Sequence, residues 1–524
     1  MIIDDQHYDV IIVGTGAGGG TLAYKLAPTG KKILILERGD FLPQEAENWS
    51  AAEVFKKDRY QPQEKWYDNS GDPFRPQTNY WVGGNTKVYG AAMLRMRERD
   101  FEKVKHQDGI SPEWALKYQD FEPYYTEAEK LYSVHGRKGD DPTEPDRSEG
   151  YPYPEVTHEP RMQKICDAIS KLGLNPFYLP LGLKLNETAP NQSACIRCNT
   201  CDGFPCKIGG KADAEIVGIK AALKYPNVTL KTKANVVRLH TSPSGLEVKA
   251  AEVEINGQSH LFFGDIVVLA CGAVNSAALL LRSHSEKHPN GLANSSDQVG
   301  RNFMKHLMTG MVQLSPEENS DMFQKTICIN DFYWGDGDFP YPMGHIQNTG
   351  NILHEMILGQ APPLLSLLSR LVPESGLRQL MTHSIGWWLQ TEDLPDAENR
   401  VRVVGEKLYL DYIPNNTEAH DRLIYRWEDV LKIVDRTGNN SIFKQGIYPR
   451  TDTPIQVVAN QSGTCRFGED PTTSVLNLDC RTHDLDNLYV VDSSFFPSSS
   501  AVSPALTIIA NALRVGKHLI ERLK

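Results

Sequence analysis

Unbroken apolar runs, not alternating ones, open this chain. Val10–Val13 follows a polar start and ends in a glycine turn, and Ile33–Leu36 ends in Glu37. Continuous runs of this length predict buried strands, and the small and apolar residues between them predict a helix, giving a β-α-β unit over residues 1 to about 40. A polar stretch rich in Pro, Asp and Gln follows, up to Pro76. Tyr80 to Gly90 reads as a glycine turn followed by helix or extended chain. Residues 118–135 predict a surface-exposed helix, and residues 138–160, rich in Pro, Asp and Glu, a loop. Asn227–Leu239 alternates like paired strands. Asp265–Gly272 is a buried strand ending in glycine and leads into a helix over Val274–Arg282. Over residues 306–455 the doubly wound pattern fades, aromatics increase and His is scattered. Within that region 362–373 reads as a short apolar helix, most simply a core element. The last 65 residues return to strand, turn and amphipathic helix. In that helix Ser503 is the expected cap, Pro504 fits the first helical position, and Leu506, Ile509, Leu513 and Leu519 or Ile520 make the apolar face.

This pattern predicts an α/β chain. Its first part is a split doubly wound, Rossmann-like nucleotide-binding domain drawn from residues 1–95, 196–305 and 456–524. Its second is an α+β substrate domain with an antiparallel sheet, drawn from 96–195 and 306–455. At 524 residues the chain exceeds what one small core organises, which agrees with two domains. The net charge of −11 and the absence of a Lys/Arg block argue against nucleic acid as a partner. No charged and apolar leader precedes the first strand and no run of apolar residues is long enough to span a bilayer, so a cytoplasmic location is the expectation. Nine cysteines without a secretion signal read as thiols or ligands, not a disulfide framework. Cys271 and Cys465 read as packing residues.

The first turn adds chemistry. Gly14, Gly16 and Gly19 fit G-x-G-x-x-G between a strand and a helix, and Glu37 ends the next strand where an acid accepts ribose hydroxyls. Gly14 permits the tight turn, Gly16 close approach of a pyrophosphate, and Gly19 close packing of helix on strand. Phosphates would sit on the amides at the helix N-terminus. The motif points to a dinucleotide and leaves FAD and NAD(P) open.

Further segments follow in a specific order: Gly83-Gly84-Asn85, the strand Ile266–Gly272, Val299-Gly-Arg-Asn302, Gly463-Thr-Cys-Arg-Phe-Gly468, and Leu488-Tyr-Val-Val-Asp492 before Ser503-Pro504. With the first turn, these resemble the glucose-methanol-choline oxidoreductases, in particular the bacterial branch near pyranose oxidases and sugar dehydrogenases. The resemblance implies FAD and hydride transfer from an alcohol carbon to flavin N5. It implies that Glu37 binds the adenosine ribose, that Gly83, Gly84 and Asn85 lie against the pyrophosphate or the flavin ring, that Val236 or Val237 meets the adenine, and that Asp492 lies beside the ribityl chain. An Asp there could instead cap a turn. It also implies that the positive end of the last helix, at Pro504, faces the flavin. Thr86–Tyr89 holds no His, so covalent attachment of FAD there is not expected.

Two positions depart from the family. Where it has a His just before the Gly-Thr segment, this chain has Asn460; where it has His or Asn at the last helix, this chain has Ser503. These are the expected catalytic positions. Asn does not titrate near neutrality and Ser is a weak base without an activator. Three readings follow: another base such as His306, His345, His354 or His383; redirected radical or light-driven chemistry such as decarboxylation; or FAD binding with turnover lost, or with engineered residues at the two positions. Oxidation of a sugar or glycoside alcohol is the leading activity. The electron acceptor (oxygen, quinone or protein) and the oligomeric state stay open.

Cys195, Cys198, Cys201 and Cys206 fall within twelve residues at a spacing that resembles iron–sulfur or zinc ligation. Local disulfides and plain thiols are the competing readings.

Overall fold

The computed structural model describes residues 2–356, 373–436 and 446–524. Residues 362–372 of the expected apolar helix lie outside them. The first sheet is built on four parallel strands in the order Val228–Lys231, Ile33–Leu36, Ile2–Val13 and Gln258–Leu269. The last of these is shared. Its C-terminal half carries Leu488–Val490 in parallel, and its N-terminal half carries the antiparallel pair Val248–Ile255 and Ala234–Thr241. Thus the strands read over 227–239 do not pair with each other. Lys233, at φ +52°, turns the chain between them, the first joining the parallel edge and the second the antiparallel meander. The helix Ala17–Leu26 packs on the first sheet and on the final helix, Ala505–Arg522.

The second sheet has six antiparallel strands. Their order is Arg450–Asp452, Leu307–Leu314, Ser384–Thr391, His345–Asn348, Ile327–Ile329 and Phe177–Tyr178. Strand side chains alternate between faces. Met311, Ile385, Trp387, Leu389 and Ile346 form one core with the helices Pro160–Ser170 and Thr417–Asp435. Met308, Gly310, Trp388, Gln390 and Gln347 turn the other way: four of them line the cavity described below, and the Trp388 indole covers Gly310. The architecture is therefore α/β with a mostly parallel sheet and a separate antiparallel one.

The helix expected to be exposed at 118–135 is instead Tyr118–Leu131, with Tyr118, Phe121, Tyr125 and Glu129 buried. Its polar pattern misleads because its acids are paired from afar. The Arg95 guanidinium meets both Glu129 oxygens at 2.8 and 2.9 Å and Glu122 at 3.1 Å, and Arg147 meets Glu129 at 2.5 Å. Removing one partner of a buried pair strands the other charge. Arg95→Met is expected to lower stability by about 3 kcal/mol in urea unfolding, with Arg95→Met/Glu129→Leu recovering much of it. An unchanged urea midpoint would contradict this account.

Candidate functional site

The carboxyl ends of the parallel strands open into a cavity of about 910 Å³, the place where open α/β sheets hold their ligands. Gly14, Gly16, Glu37, Gly84, Asn85, Asp492, Ser503, Pro504 and Asn460 all line it. Gly14 has φ +99°, and a Cβ there would lie 2.4 Å from Ala270 O. A Cβ on Gly19 would lie 2.0 Å from Gly14 O, so Gly19 packs the helix onto its own turn. Gly16, by contrast, faces open space, with nothing within 4 Å of a Cβ. It precedes the first turn of the helix, whose free amides and dipole favour an anion.

One residue ties these parts together, and the sequence reading missed it. Thr15 donates to Glu37 Oε2 from its amide (3.1 Å) and its hydroxyl (2.5 Å), and the same hydroxyl accepts from Gly83 N at 3.0 Å. Glu37 Oε1 accepts from Gly39 N at 2.9 Å, and burial raises its pKa. The second glycine turn thereby closes on the first. A Cβ on Gly84 would lie 3.0 Å from Gly16 Cα. Gly83 stands behind the wall, against Lys87 and Glu215. Lys87, also missed, is buried between Asp213 (3.0 Å) and Glu215 (2.5 Å) and clamps this turn to the 213–215 segment. Asn85 Oδ1 accepts from Asn79 N at 2.8 Å.

Of the two valines read as the adenine contact, one reaches the cavity. Ala234, Asn235 and Val236 line the cavity and Val237 does not; the ladder is irregular between Val236 and Arg238. Asp492 both reaches the cavity and caps the turn that follows it. It lines the cavity, and its oxygens accept from Gly272 N (3.0 Å), Ser276 Oγ (2.5 Å) and Ser494 N (2.9 Å). Burial raises its pKa. Ser503 does not cap the last helix as expected. The first helical bond runs from Ile508 N to Pro504 O, and the helix start has no side-chain cap. Its hydroxyl is left to the cavity wall.

Asn460 is oriented from behind. His306, buried at φ +66°, places Nε2 3.3 Å from Ser499 O and Nδ1 3.2 Å from Asn460 Nδ2. A carbonyl only accepts, so Nε2 carries the ring proton. Burial pushes the ring pKa down to about 4, so at neutral pH Nδ1 is a bare lone pair. It accepts from the Asn460 amide nitrogen, which leaves Asn460 Oδ1 free for other donors. His345 is also buried and pushed down to about 4, with Nδ1 2.7 Å from Asn330 Oδ1. His354 lies 2.9 Å from Glu355, and His383 Nδ1 3.2 Å from Ser315 O. His306 is the imidazole that meets Asn460.

The comparisons agree with this geometry. Residues 8–308 match the GMC oxidoreductase N-terminal description, and residues 395–512 the C-terminal one. The chain belongs to the GMC oxidoreductase family. It is 30% identical to the 6'''-hydroxyparomomycin C oxidase of Streptomyces lividus, covering 99% of this chain and 92% of that one. It is 28% identical to the paromamine 6'-oxidase of Streptomyces fradiae (98% and 91%), and 27% identical to the fructose dehydrogenase large subunit of Gluconobacter japonicus (98% of each). Among solved structures, pyridoxine 4-oxidase from Mesorbium loti superposes with a TM-score of 0.65 at 18% identity, covering 98% of this chain and 99% of that one. Formate oxidase of Aspergillus oryzae RIB40 gives 0.67 at 14% identity, covering 99% and 100%. These two show the same fold.

This GMC oxidoreductase is therefore a flavin-family enzyme, and its first turn suits the family's FAD. Open helix-start amides, two apposed glycine turns and a buried carboxylate at the second strand end are what a flavin dinucleotide requires. The cysteine cluster does not gather as a metal site. Among the described residues no three His, Cys, Asp or Glu side chains converge on a common point, and all four thiols are free. A cation already organises the loop. Lys211 Nζ donates to Cys201 O (2.8 Å) and Phe204 O (2.9 Å), while Lys325 pairs with Asp202 at 2.8 Å. Burial pushes the Cys195 thiol up to about 12 and Cys201 up to about 11. Among the described residues no helix is long and apolar enough to cross a membrane.

Proposed function

We propose that this enzyme oxidises an alcohol carbon of a sugar or glycoside to a carbonyl, using non-covalently held FAD. The observation that supports it is the continuity of one cavity from the glycine turns to Asn460 and Ser503. Glu37 would hold the adenosine ribose, the 14–19 turn and Gly84-Asn85 the pyrophosphate, and Asp492 the ribityl chain. Bound FAD would supply the acceptor for the carbon's hydrogen, taken as hydride. Asn460 Oδ1, aimed by His306, accepts the substrate hydroxyl and fixes the carbon's orientation. The Ser503 hydroxyl makes a second bond at the start of the last helix. Neither side chain titrates near neutrality, so the hydroxyl proton passes to water in the cavity instead of to a fixed base.

That missing base also supports a second reading, in which FAD is bound but the chemistry is redirected or lost. Anaerobic titration of the yellow protein separates the two. Bleaching of the flavin by a sugar or glycoside is expected. Bleaching by no alcohol, or turnover only of a fatty acid under light, would favour the second reading.

A further inference from the structure

A second buried imidazole meets a side-chain amide of the cavity wall. His345 is fully buried on the second sheet, and a chain of fixed groups anchors it from behind. Arg97 donates to Asp141 Oδ2 at 2.6 Å. Asn330 Nδ2 donates to the same oxygen at 3.0 Å and to Thr143 Oγ1 at 3.1 Å. The amide sense of Asn330 is thereby set. Its Oδ1 is the atom 2.7 Å from His345 Nδ1, so that ring nitrogen carries the proton. Burial pushes the ring pKa down to about 4, so at neutral pH Nε2 is a lone pair. Gln347 stands 3.2 Å from it through Oε1. Two lone pairs do not bond, whereas a half-turn of the amide puts an N–H on Nε2 and the oxygen on the other side. Cys328 Sγ, 3.9 Å from Nε2, is a weak donor.

The other side is the cavity. Gln347 lines it, and the far atom of its amide bonds to none of the described residues and is not sealed off by them. Gln390, on the next strand, differs: its Oε1 is enclosed by protein. Trp388 lies opposite Gln347 in register and lines the same wall, its indole over Gly310. The register also ties this place to the end of the cavity that holds Asn460. His345 pairs with Gln390, and Gln390 with Met308, two residues past His306. Gln347 and Asn460 are thus two amides of one cavity, each backed by a buried neutral histidine. An acceptor already held in place loses little side-chain freedom when a donor arrives. A carbonyl oxygen takes an O–H or N–H, and on a sugar the donor at hand is a hydroxyl.

We propose that Gln347 is a specificity-determining residue: its Oε1 accepts a second hydroxyl of the substrate, one that is not oxidised, and His345 is the positioning residue that turns the amide toward the cavity. The inference rests on the sugar-alcohol reading above and adds a contact to it.

Methyl α-D-glucopyranoside and its 2-, 3-, 4- and 6-deoxy forms test it on the FAD-loaded enzyme. Affinity is read by isothermal titration and reduction by anaerobic bleaching. One deoxy form is expected to bind about tenfold more weakly than the parent and still to bleach the flavin, because it lacks the hydroxyl held by Gln347 and keeps the one that is oxidised. Gln347→Leu should weaken the parent by about the same factor and leave that deoxy form unchanged, since the substitution and the deoxygenation remove the same bond. His345→Phe keeps a ring in the core but removes Nε2, and should give the same selective loss at smaller size. The flavin spectrum and the melting temperature confirm the fold of each variant. A merely structural role would weaken every glycoside alike. That result, an unchanged parent affinity in Gln347→Leu, or no binding of any glycoside would overturn the contact. A selective loss with no bleaching by any glycoside would support the contact and sink the oxidation reading. Bleaching by the parent with a uniform loss in both variants would do the reverse.

Discussion

Asn460→His is expected to raise the rate of anaerobic flavin bleaching by about 10²-fold or more, because a positioned general base contributes about 10²–10⁴. The native side chain can orient a hydroxyl but cannot take its proton. An imidazole at the same point would sit beside His306, whose lone pair already faces position 460. The variant should also acquire a pH dependence absent from the native enzyme. Bleaching should increase as the new ring loses its proton, with a midpoint near its ordinary value of about 6.5. His306 itself does not titrate in that range, since burial holds it near 4. Stopped-flow reduction between pH 5.5 and 8.5 checks both points. A rate that falls, or stays the same with a flat profile, would mean that the native site already moves the proton by another route.

Gly14→Ala should yield colourless protein. At φ +99° an alanine is strained, at a cost of about 1–2 kcal/mol. Its methyl would also stand 2.4 Å from Ala270 O, which cannot yield without shifting the strand end that forms the cavity floor. Gly16→Ala is the informative partner. Its methyl meets no protein atom within 4 Å, so the fold should hold and only FAD affinity should fall, because the methyl occupies the space beside the helix-start amides. The ratio of 450 to 280 nm absorbance and the melting temperature distinguish the cases. Gly14→Ala should lower both values, and Gly16→Ala chiefly the first. A fully yellow, equally stable Gly14→Ala would contradict this assignment of the turn.

Local signals carried well where the chain folds on its neighbours. The strands at Val10 and Ile33, the strand before Gly272 with its following helix, and the body of the last helix are each encoded by short local runs and periods, and each is present, although the last helix starts at Ala505, one residue later than read. The reading failed where the partner is remote. Glu129 looked like a surface acid because Arg95 and Arg147, which hold it, lie 34 and 18 residues away. Val236 and Val237 are equivalent in sequence, and only the folded cavity decides that Val236 lines it and Val237 does not.

The candidate site divides in the same way. By itself the sequence determined the doubly wound α/β class, the glycine turn with its acid, and the absence of a titrating side chain at positions 460 and 503, because each of these is a matter of residue type at short spacing. Only the tertiary structure decided that Thr15 joins Glu37 to the second glycine turn, that His306 meets Asn460, and that Lys211 and Lys325 bond within the cysteine loop. Those are distances and orientations between segments up to hundreds of residues apart, and hydrogen bonds and charges act over a few ångströms of space whatever the separation along the chain.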